Sequence, residues 1–253
     1  MTAKHSGVAK LWLLNLFGNA ALLAAFYFWL LLPDAHGWQI AGSGLIALVV
    51  IFCGVWLRGG SFTYFRLAEF RDHAAVWPAF RQALHHLIAL ILWVIPLAAA
   101  QWGLLSLRRF APQFGVWWWQ KVPALRIGSP RAVYHVADGV LLGLMALLVA
   151  VWIPAATTVS ALGFKAQFCR AWRVLKRAKY WLWFVALLVL GVYLPRKLVW
   201  WIPDFSTLSK QAWSAGVRLL FAYVLLISAW VSLLLVAGEF AEKEDAATEK
   251  AKP

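Results

Sequence analysis

The amino-acid sequence predicts an all-α fold: a polytopic integral membrane bundle of about six transmembrane helices, with amphipathic helices at the membrane interface. Hydrophobic residues make up 63% of the 253 residues and charged residues only 13%, far from the proportions of a soluble domain. The apolar residues fall in long blocks, and about 20 helical residues cross a bilayer core. Because the blocks are apolar on all sides, without alternation, they favour helices over barrel strands.

The six predicted spans follow one another within a single transmembrane domain over residues 1–240. Their approximate bounds are residues 11–32, 38–57, 85–107, 135–157, 180–200 and 216–238. The first block has 22 residues, whereas the core of a signal peptide has about 7–15, so a retained helix is favoured over a cleaved signal. The fifth block reaches spanning length if Arg196 and Lys197 snorkel to the surface.

The connection between the second and third spans predicts a helix lying in the membrane interface. Gly59 and Gly60 are expected to interrupt the second helix, and Ser61 is expected to cap the next one. Less polar positions recur at helical spacing over residues 63–77, so this face is expected among acyl chains and the charges among head groups. The charged side chains off this face are Arg66, Glu69, Arg71 and Asp72.

The stretch "CRAWRVLKRAKYWLWF", residues 169–184, combines cations with aromatic residues. Nucleic-acid binding would require a soluble basic domain or a recognisable motif around it, so we expect no nucleic-acid partner. Anionic lipid attracts each nearby cation by about 1 kcal/mol, and tryptophans collect at the interface, which favours a basic helix on the membrane surface. The residues expected to contact lipid are Arg170, Trp172, Arg173, Lys176, Arg177, Lys179, Trp181 and Trp183.

The distribution of cations predicts the orientation. With the N-terminus in the cytoplasm, fifteen Lys and Arg residues fall on the inner side and nine on the outer side. Short cytoplasmic loops are rich in Lys and Arg, so both termini are expected in the cytoplasm of a bacterium with the protein in its inner membrane. The connection over residues 108–133 is basic too, and its side of the membrane stays open. Residues 241–253 form a charged tail that is expected to continue the sixth helix.

Small and amide side chains predict sites of helix packing. Asn15 and Asn19 lie four residues apart on one face of the first span, where amides seek partners on another helix. Gly139 and Gly143 form a GxxxG pattern in the fourth span, which allows close approach of a second backbone. Both pairs are therefore expected to contact other helices, within the bundle or in another subunit.

Ionisable residues are almost absent from the six apolar blocks. His135 and Asp138, three residues apart near the outer end of the fourth span, form the nearest approach to a polar site. A salt-linked cap is favoured there over proton handling or ligand binding. Adjacent His85 and His86 point about 100° apart on a helix, which disfavours a shared metal ion, and no nucleotide, metal or hydrolase motif is present. We therefore expect no catalytic residue, no metal and no cofactor.

One segment resembles a known family. "AWRVLKRAKYWLWF", preceded by "VWIPAATTVSALGFKAQFCRAW", is similar to the bacterial six-helix membrane family that contains the membrane domain of glycerophosphodiester phosphodiesterases. That family places a proline near the inner end of one span, then a short amphipathic helix with an Arg-Trp pair, then a cation before the next span. The matching positions, within a resemblance over about residues 60–200, are Pro154, Arg170, Trp172, Arg173 and Arg177. The resemblance implies a six-helix bundle without a catalytic site of its own.

These observations favour a non-enzymatic membrane protein, an accessory or scaffold subunit. Its expected partners are anionic lipid and other membrane protein subunits or further copies of itself. The alternative is a component of a small-solute or lipid transporter or channel, which would need a polar midplane site or broken helices. Its hints are Pro96, Gln101, Pro154 and the Asn15–Asn19 pair. A membrane-embedded enzyme acting on lipid would need convergent acid, base or metal groups, and His135 with Asp138 gives it little support.

Overall fold

The computed structural model describes residues 2–33, 36–122, 129–164 and 172–250, with side chains described from Ser6 to Lys243 within these ranges. The secondary structure of the described residues is helical, without a strand, which confirms the all-α prediction. Six helices are long and apolar enough to cross a membrane. The chain therefore has the architecture of an integral membrane protein with six spans.

The helices follow the order of the predicted spans. They are α1 (Thr2–Leu30), α2 (Gly37–Arg66), α3 (Ala68–Asp72), α4 (Val76–His85), α5 (Leu87–Lys121), α6 (Pro130–Leu162), α7 (Ala178–Leu188), α8 (Leu194–Trp200) and α9 (Leu208–Lys250). A π-helical stretch, Val189–Tyr193, joins α7 to α8, and together they form the fifth span. Most helices extend beyond the apolar blocks, and α9 continues well into the charged tail.

Contacts between residues group the chain into two compact units, where the sequence predicts one domain. The first unit comprises Met1–Leu90 and Pro154–Pro253, and the second comprises Ile91–Ile153. Each boundary falls inside a continuous helix, α5 or α6. No linker therefore marks the division in the sequence.

The core of the first unit forms around the last ten residues of α2. Phe62, Tyr64 and Phe65 are fully buried there, and α2 packs against α1, α4 and α9. Apolar side chains nearer the α1–α2 turn stay exposed, among them Phe28 and Ile40. Such surfaces are suited to contact with lipid tails, since an apolar side chain in hydrocarbon has no need of burial against protein.

The predicted interruption of the second helix is wrong, because α2 runs unbroken to Arg66. Gly59 and Gly60 instead allow a close approach between helices: a Cβ atom on Gly60 would lie 2.4 Å from Cγ of Phe80 on α4. Ser61 is not an N-cap but an interior residue of α2. Glycine is tolerated inside membrane helices, where water does not compete for the backbone hydrogen bonds.

The predicted surface helix over residues 61–77 is also wrong. Its first half is the buried end of α2, after which the chain turns into α3 and α4. Arg66 and Arg71, expected among head groups, are only 4% and 2% exposed. Arg71 donates a hydrogen bond to the carboxylate of Glu242 on α9, so other helices cover this segment.

Candidate functional site

The polar residues of the first unit include a cation shared by three helices. Arg58 on α2 donates from Nη2 to Oδ1 of Asn19 on α1, at 2.7 Å. Its Cζ lies 4.8 Å from the ring centroid of Trp230 on α9, the arrangement of a cation–π contact. We call Arg58, Asn19 and Trp230 the Arg58 cluster.

Arg58 lies eight residues before the end of α2, about 12 Å along its axis. The apolar block of the second span ends at residue 57, which predicts Arg58 on the cytoplasmic side, but its side chain contacts two other long apolar helices. Asn19 likewise lies eight residues inside the apolar block that begins at Leu11, again about 12 Å. A charged side chain at the centre of a membrane helix costs about 2.5–3.5 kcal/mol, and charges retained at membrane depth mark functional sites.

A chain of hydrogen bonds orients the acceptor that faces Arg58. Asn19 Nδ2 donates to the backbone carbonyl of Asn15 at 2.6 Å, and Asn15 Nδ2 donates to Oγ of Ser61 on α2 at 3.0 Å. Ser61 in turn donates to the carbonyl of Leu57 at 2.8 Å. The structure thus places the two asparagines at the interface of α1 and α2, where they fix the position of the Asn19 carbonyl oxygen.

Two further contacts fasten α9 to α1 near the cluster. Trp12 Nε1 donates to Oγ of Ser228 at 3.0 Å, and the hydroxyl of Tyr223 donates to the carbonyl of Leu16. Trp230 lies in the same part of α9, and its ring contacts that of Phe62, with centroids 6.0 Å apart. The Trp230 ring that faces Arg58 is therefore held by Phe62 and by a helix that is bonded to α1.

The guanidinium of Arg58 has capacity left to bind an anion. In the part of the chain that the structure describes, no carboxylate pairs with it: it bonds to Asn19, lies over the ring of Trp230 and interacts electrostatically with the hydroxyl of Tyr223. A guanidinium carries five N–H donors, of which one is engaged here, and the side chain is partly exposed. Arginine binds phosphate and carboxylate through two parallel hydrogen bonds, so such an anion is the ligand chemistry that the cluster fits.

The sequence missed Arg58 because the apolar block seemed complete at Leu57. The signal that could have found it is the apolar run that follows, "GGSFTYF", residues 59–65. A cation followed by seven residues without charge lies inside a helix at least as readily as at its end. The glycine pair in that run favoured a helix break instead.

At the predicted polar site of His135 and Asp138, the structure pairs Asp138 with an arginine of another helix. Asp138 on α6 accepts two hydrogen bonds from Arg108 on α5, with Nε to Oδ1 at 2.6 Å and Nη2 to Oδ2 at 3.0 Å. His135 is exposed, and its ring centroid lies 5.0 Å from that of Tyr134. The salt link expected of Asp138 is therefore made to a cation 30 residues earlier in the chain.

The predicted packing glycines of α6 do not contact α5. Gly139 and Gly143 are exposed, and a Cβ atom on either would meet no atom of the described residues within 4 Å. The close approach between the two helices occurs at Gly115 of α5 instead, where a Cβ atom would lie 2.9 Å from the carbonyl oxygen of Pro130. Among the described residues, nothing covers the GxxxG face of α6 at these two glycines.

The predicted lipid-contacting residues lie at the start of the fifth span. Arg170 is outside the described residues. Of the predicted surface helix, the structure describes one helical turn over residues 172–175, with Val174 buried, and α7 begins at Ala178. Trp181 Nε1 donates to the carbonyl of Leu175 at 2.8 Å. Trp172, Lys176, Lys179 and Trp183 are exposed, while Arg173, Arg177 and Trp181 are partly exposed.

No group of three His, Cys, Asp or Glu side chains is placed to hold a metal ion among the residues that the structure describes. Comparisons with protein-family models, with characterised proteins and with solved structures find no match. The resemblance to the membrane domain of glycerophosphodiester phosphodiesterases therefore stays a prediction. The class defined by the fold and the Arg58 cluster is a six-span, all-α membrane protein with a partly buried arginine shared by three of its long helices.

Proposed function

We propose that this chain is a non-enzymatic accessory or scaffold subunit, which packs against partner membrane proteins and anionic lipid in a bacterial cytoplasmic membrane. One observation carries the proposal: polar side chains within the spans bond to neighbouring helices. Asn15 bonds to Ser61 across α1 and α2, and Thr63 Oγ1 lies 2.8 Å from Oγ of Ser160 across α2 and α6. Such bonds specify helix packing, which is the task of a structural subunit.

The polar residues that favoured a transporter are engaged in the same way. Gln101 Nε2 donates to the carbonyl of Met145 at 2.8 Å. Helices α5 and α6 continue through Pro96 and Pro154, whereas transporter sites are built from broken helices. Arg58 favours transport, because a cation at membrane depth can bind a passing anion.

The exposed face of α6 is suited to a partner helix. Gly139 and Gly143 present a surface without side chains, on which a second membrane helix can approach closely. The exposed Lys176 and Lys179, with Trp172 beside them, are suited to anionic head groups at the cytoplasmic surface. In this proposal both termini lie in the cytoplasm, as the cation distribution favours.

The test is native purification followed by mass spectrometry of co-purifying chains. We expect a stoichiometric membrane protein partner that is lost from a Gly139→Leu, Gly143→Leu double variant. Gly216→Leu on α9 is the matched control, because a Cβ atom there also meets nothing within 4 Å. A chain that purifies alone as a monomer, and is unaffected by either change, would contradict the proposal.

A further inference from the structure

We propose that Arg58 binds the head-group phosphate of an anionic phospholipid seated where α1, α2 and α9 meet. This intramembrane site is distinct from the basic residues at the start of the fifth span. It goes beyond the accessory role and would hold equally if the chain acted alone.

Arg58 carries a positive charge that no carboxylate among the described residues meets. Its neighbours there are the Asn19 amide oxygen, the Trp230 ring and the hydroxyl of Tyr223, which are neutral groups. The remaining N–H donors can form two parallel bonds to a phosphate, which a neutral amide cannot match. An anionic ligand therefore removes the main cost of keeping this cation in the membrane.

The guanidinium of Arg58 is held in place before any ligand binds. Asn19 is fixed by the Asn15 backbone, and Trp230 by its contact with Phe62. The guanidinium is thus restrained by an acceptor on one helix and by a ring on another. Because fewer rotamers remain to be lost, binding costs less conformational entropy.

Exposed apolar side chains lie on α1 and α9 beside the cluster. Leu23 follows Asn19 by four residues on α1 and is 60% exposed, and Leu226 precedes Trp230 by four residues on α9 and is 46% exposed. Residues four apart share a helix face, and these two helices run in opposite directions. Both exposed leucines therefore offer apolar surface beside the cluster, which acyl chains of a lipid bound at Arg58 would contact.

The experiment is a titration of the purified full-length protein in detergent with phosphatidylglycerol, followed by native mass spectrometry. We expect one firmly retained phosphatidylglycerol molecule per chain, and about a tenfold or greater weakening in Arg58→Gln, since charge-assisted bonds are lost. Arg109→Gln is the matched control, because Arg109 is an exposed cation on α5. Its retention of phosphatidylglycerol should equal that of the unaltered protein.

Asn19→Asp separates ligand binding from a purely structural role for Arg58. The new carboxylate would stand where the amide oxygen now lies, 2.7 Å from Nη2, and would supply the anion from within the chain. We expect this variant to lose phosphatidylglycerol by about tenfold or more, and to have a lowered Tm because aspartate cannot donate the bond from Asn19 Nδ2 to the Asn15 carbonyl. It therefore remains informative if Arg58→Gln fails to fold.

Three results would overturn the assignment. The first is equal retention of phosphatidylglycerol by the unaltered protein, Arg58→Gln and Asn19→Asp. The second is stronger retention of oleate than of phosphatidylglycerol, which would assign a fatty-acid carboxylate to the site. The third is displacement of phosphatidylglycerol by inorganic phosphate at equal concentration, which would assign a soluble anion. None of these results bears on the co-purification test of the accessory role.

Discussion

Arg108 on α5 and Asp138 on α6 form a two-point ion pair, with nitrogen to oxygen distances of 2.6 and 3.0 Å. The pair belongs to a series of α5–α6 contacts that recur every seven or eight residues. The others are Trp152 Nε1 to the Trp93 carbonyl at 3.3 Å, Gln101 Nε2 to the Met145 carbonyl at 2.8 Å, and the approach of Gly115 to Pro130. A seven-residue interval is that of helices packed side by side over their length. Helices α5 and α6 are therefore in direct contact about once every two helical turns.

Removing one partner of this ion pair should destabilise the protein. Asp138→Ala leaves the charge of Arg108, whose side chain is 29% exposed, without its carboxylate, and we expect a loss of about 1–3 kcal/mol in the free energy of unfolding. The measurement is denaturant unfolding in detergent, followed by circular dichroism. Arg109→Gln should change stability by less than about 0.5 kcal/mol. Equal stability of Asp138→Ala and the unaltered protein would show that the pair contributes nothing.

Adding a methyl group at Gly60 should disturb the contact of α2 with α4. The Cβ atom of Gly60→Ala would lie 2.4–2.5 Å from three ring carbons of Phe80, and overpacking of this kind costs about 1–3 kcal/mol. Thermal unfolding should show a lowered Tm that Phe80→Leu, in the same chain, partly restores. Gly42→Ala is the control, since a Cβ atom there meets nothing within 4 Å. A Gly60→Ala protein with an unchanged Tm would argue against the close approach.

The hydroxyl pair of Thr63 and Ser160 should couple α2 to α6. Their oxygens lie 2.8 Å apart, and Ser160 Oγ also lies 2.7 Å from the carbonyl oxygen of Gly59. A double-mutant cycle of Thr63→Val and Ser160→Ala should give a coupling free energy of about 0.6 kcal/mol and at most about 1.7 kcal/mol, the average and the maximum measured for such bonds in membranes. Strictly additive effects of the two changes would contradict a direct bond.

The proposed orientation can be checked within one helix. Lys210 and Lys243 are both exposed and lie 33 residues apart on α9, about 50 Å along its axis, which exceeds a bilayer core of about 30 Å. In a chain with Cys53 and Cys169 changed to serine, Lys210→Cys should react with an impermeant thiol reagent in intact cells. Lys243→Cys should react with the same reagent only after the cells have been permeabilised. The reverse pattern would place both termini outside.

Some of the candidate site was within reach of the sequence. The four-residue spacing of Asn15 and Asn19 indicates one helix face, and an amide in an apolar helix needs a partner, so a contact with another helix could be predicted. The partners themselves could not be predicted. Ser61 and Arg58 lie 46 and 39 residues away from the asparagines they contact, and many helix pairings satisfy the same local pattern.

Arg66 and Arg71 show where local pattern reasoning fails. An amphipathic stretch next to a span is typical of a helix on the membrane surface, yet both arginines are buried. The pattern records that one face is apolar and the other charged, without recording what covers either face. Here the end of α9 covers Arg71 with the carboxylate of Glu242, a residue 171 positions later.

The sequence by itself determined the all-α class and the number of spans, because the thickness of a bilayer sets the length of an apolar helix and hydrocarbon leaves the backbone no other partner. Tertiary structure alone decided that α2 continues through Gly59 and Gly60, since close contact with Phe80 makes use of the glycines that would otherwise end a helix. That continuation carries Arg58 into the membrane-spanning bundle, against Asn19 and Trp230. A cation that composition assigns to a loop thereby becomes the centre of the proposed lipid site.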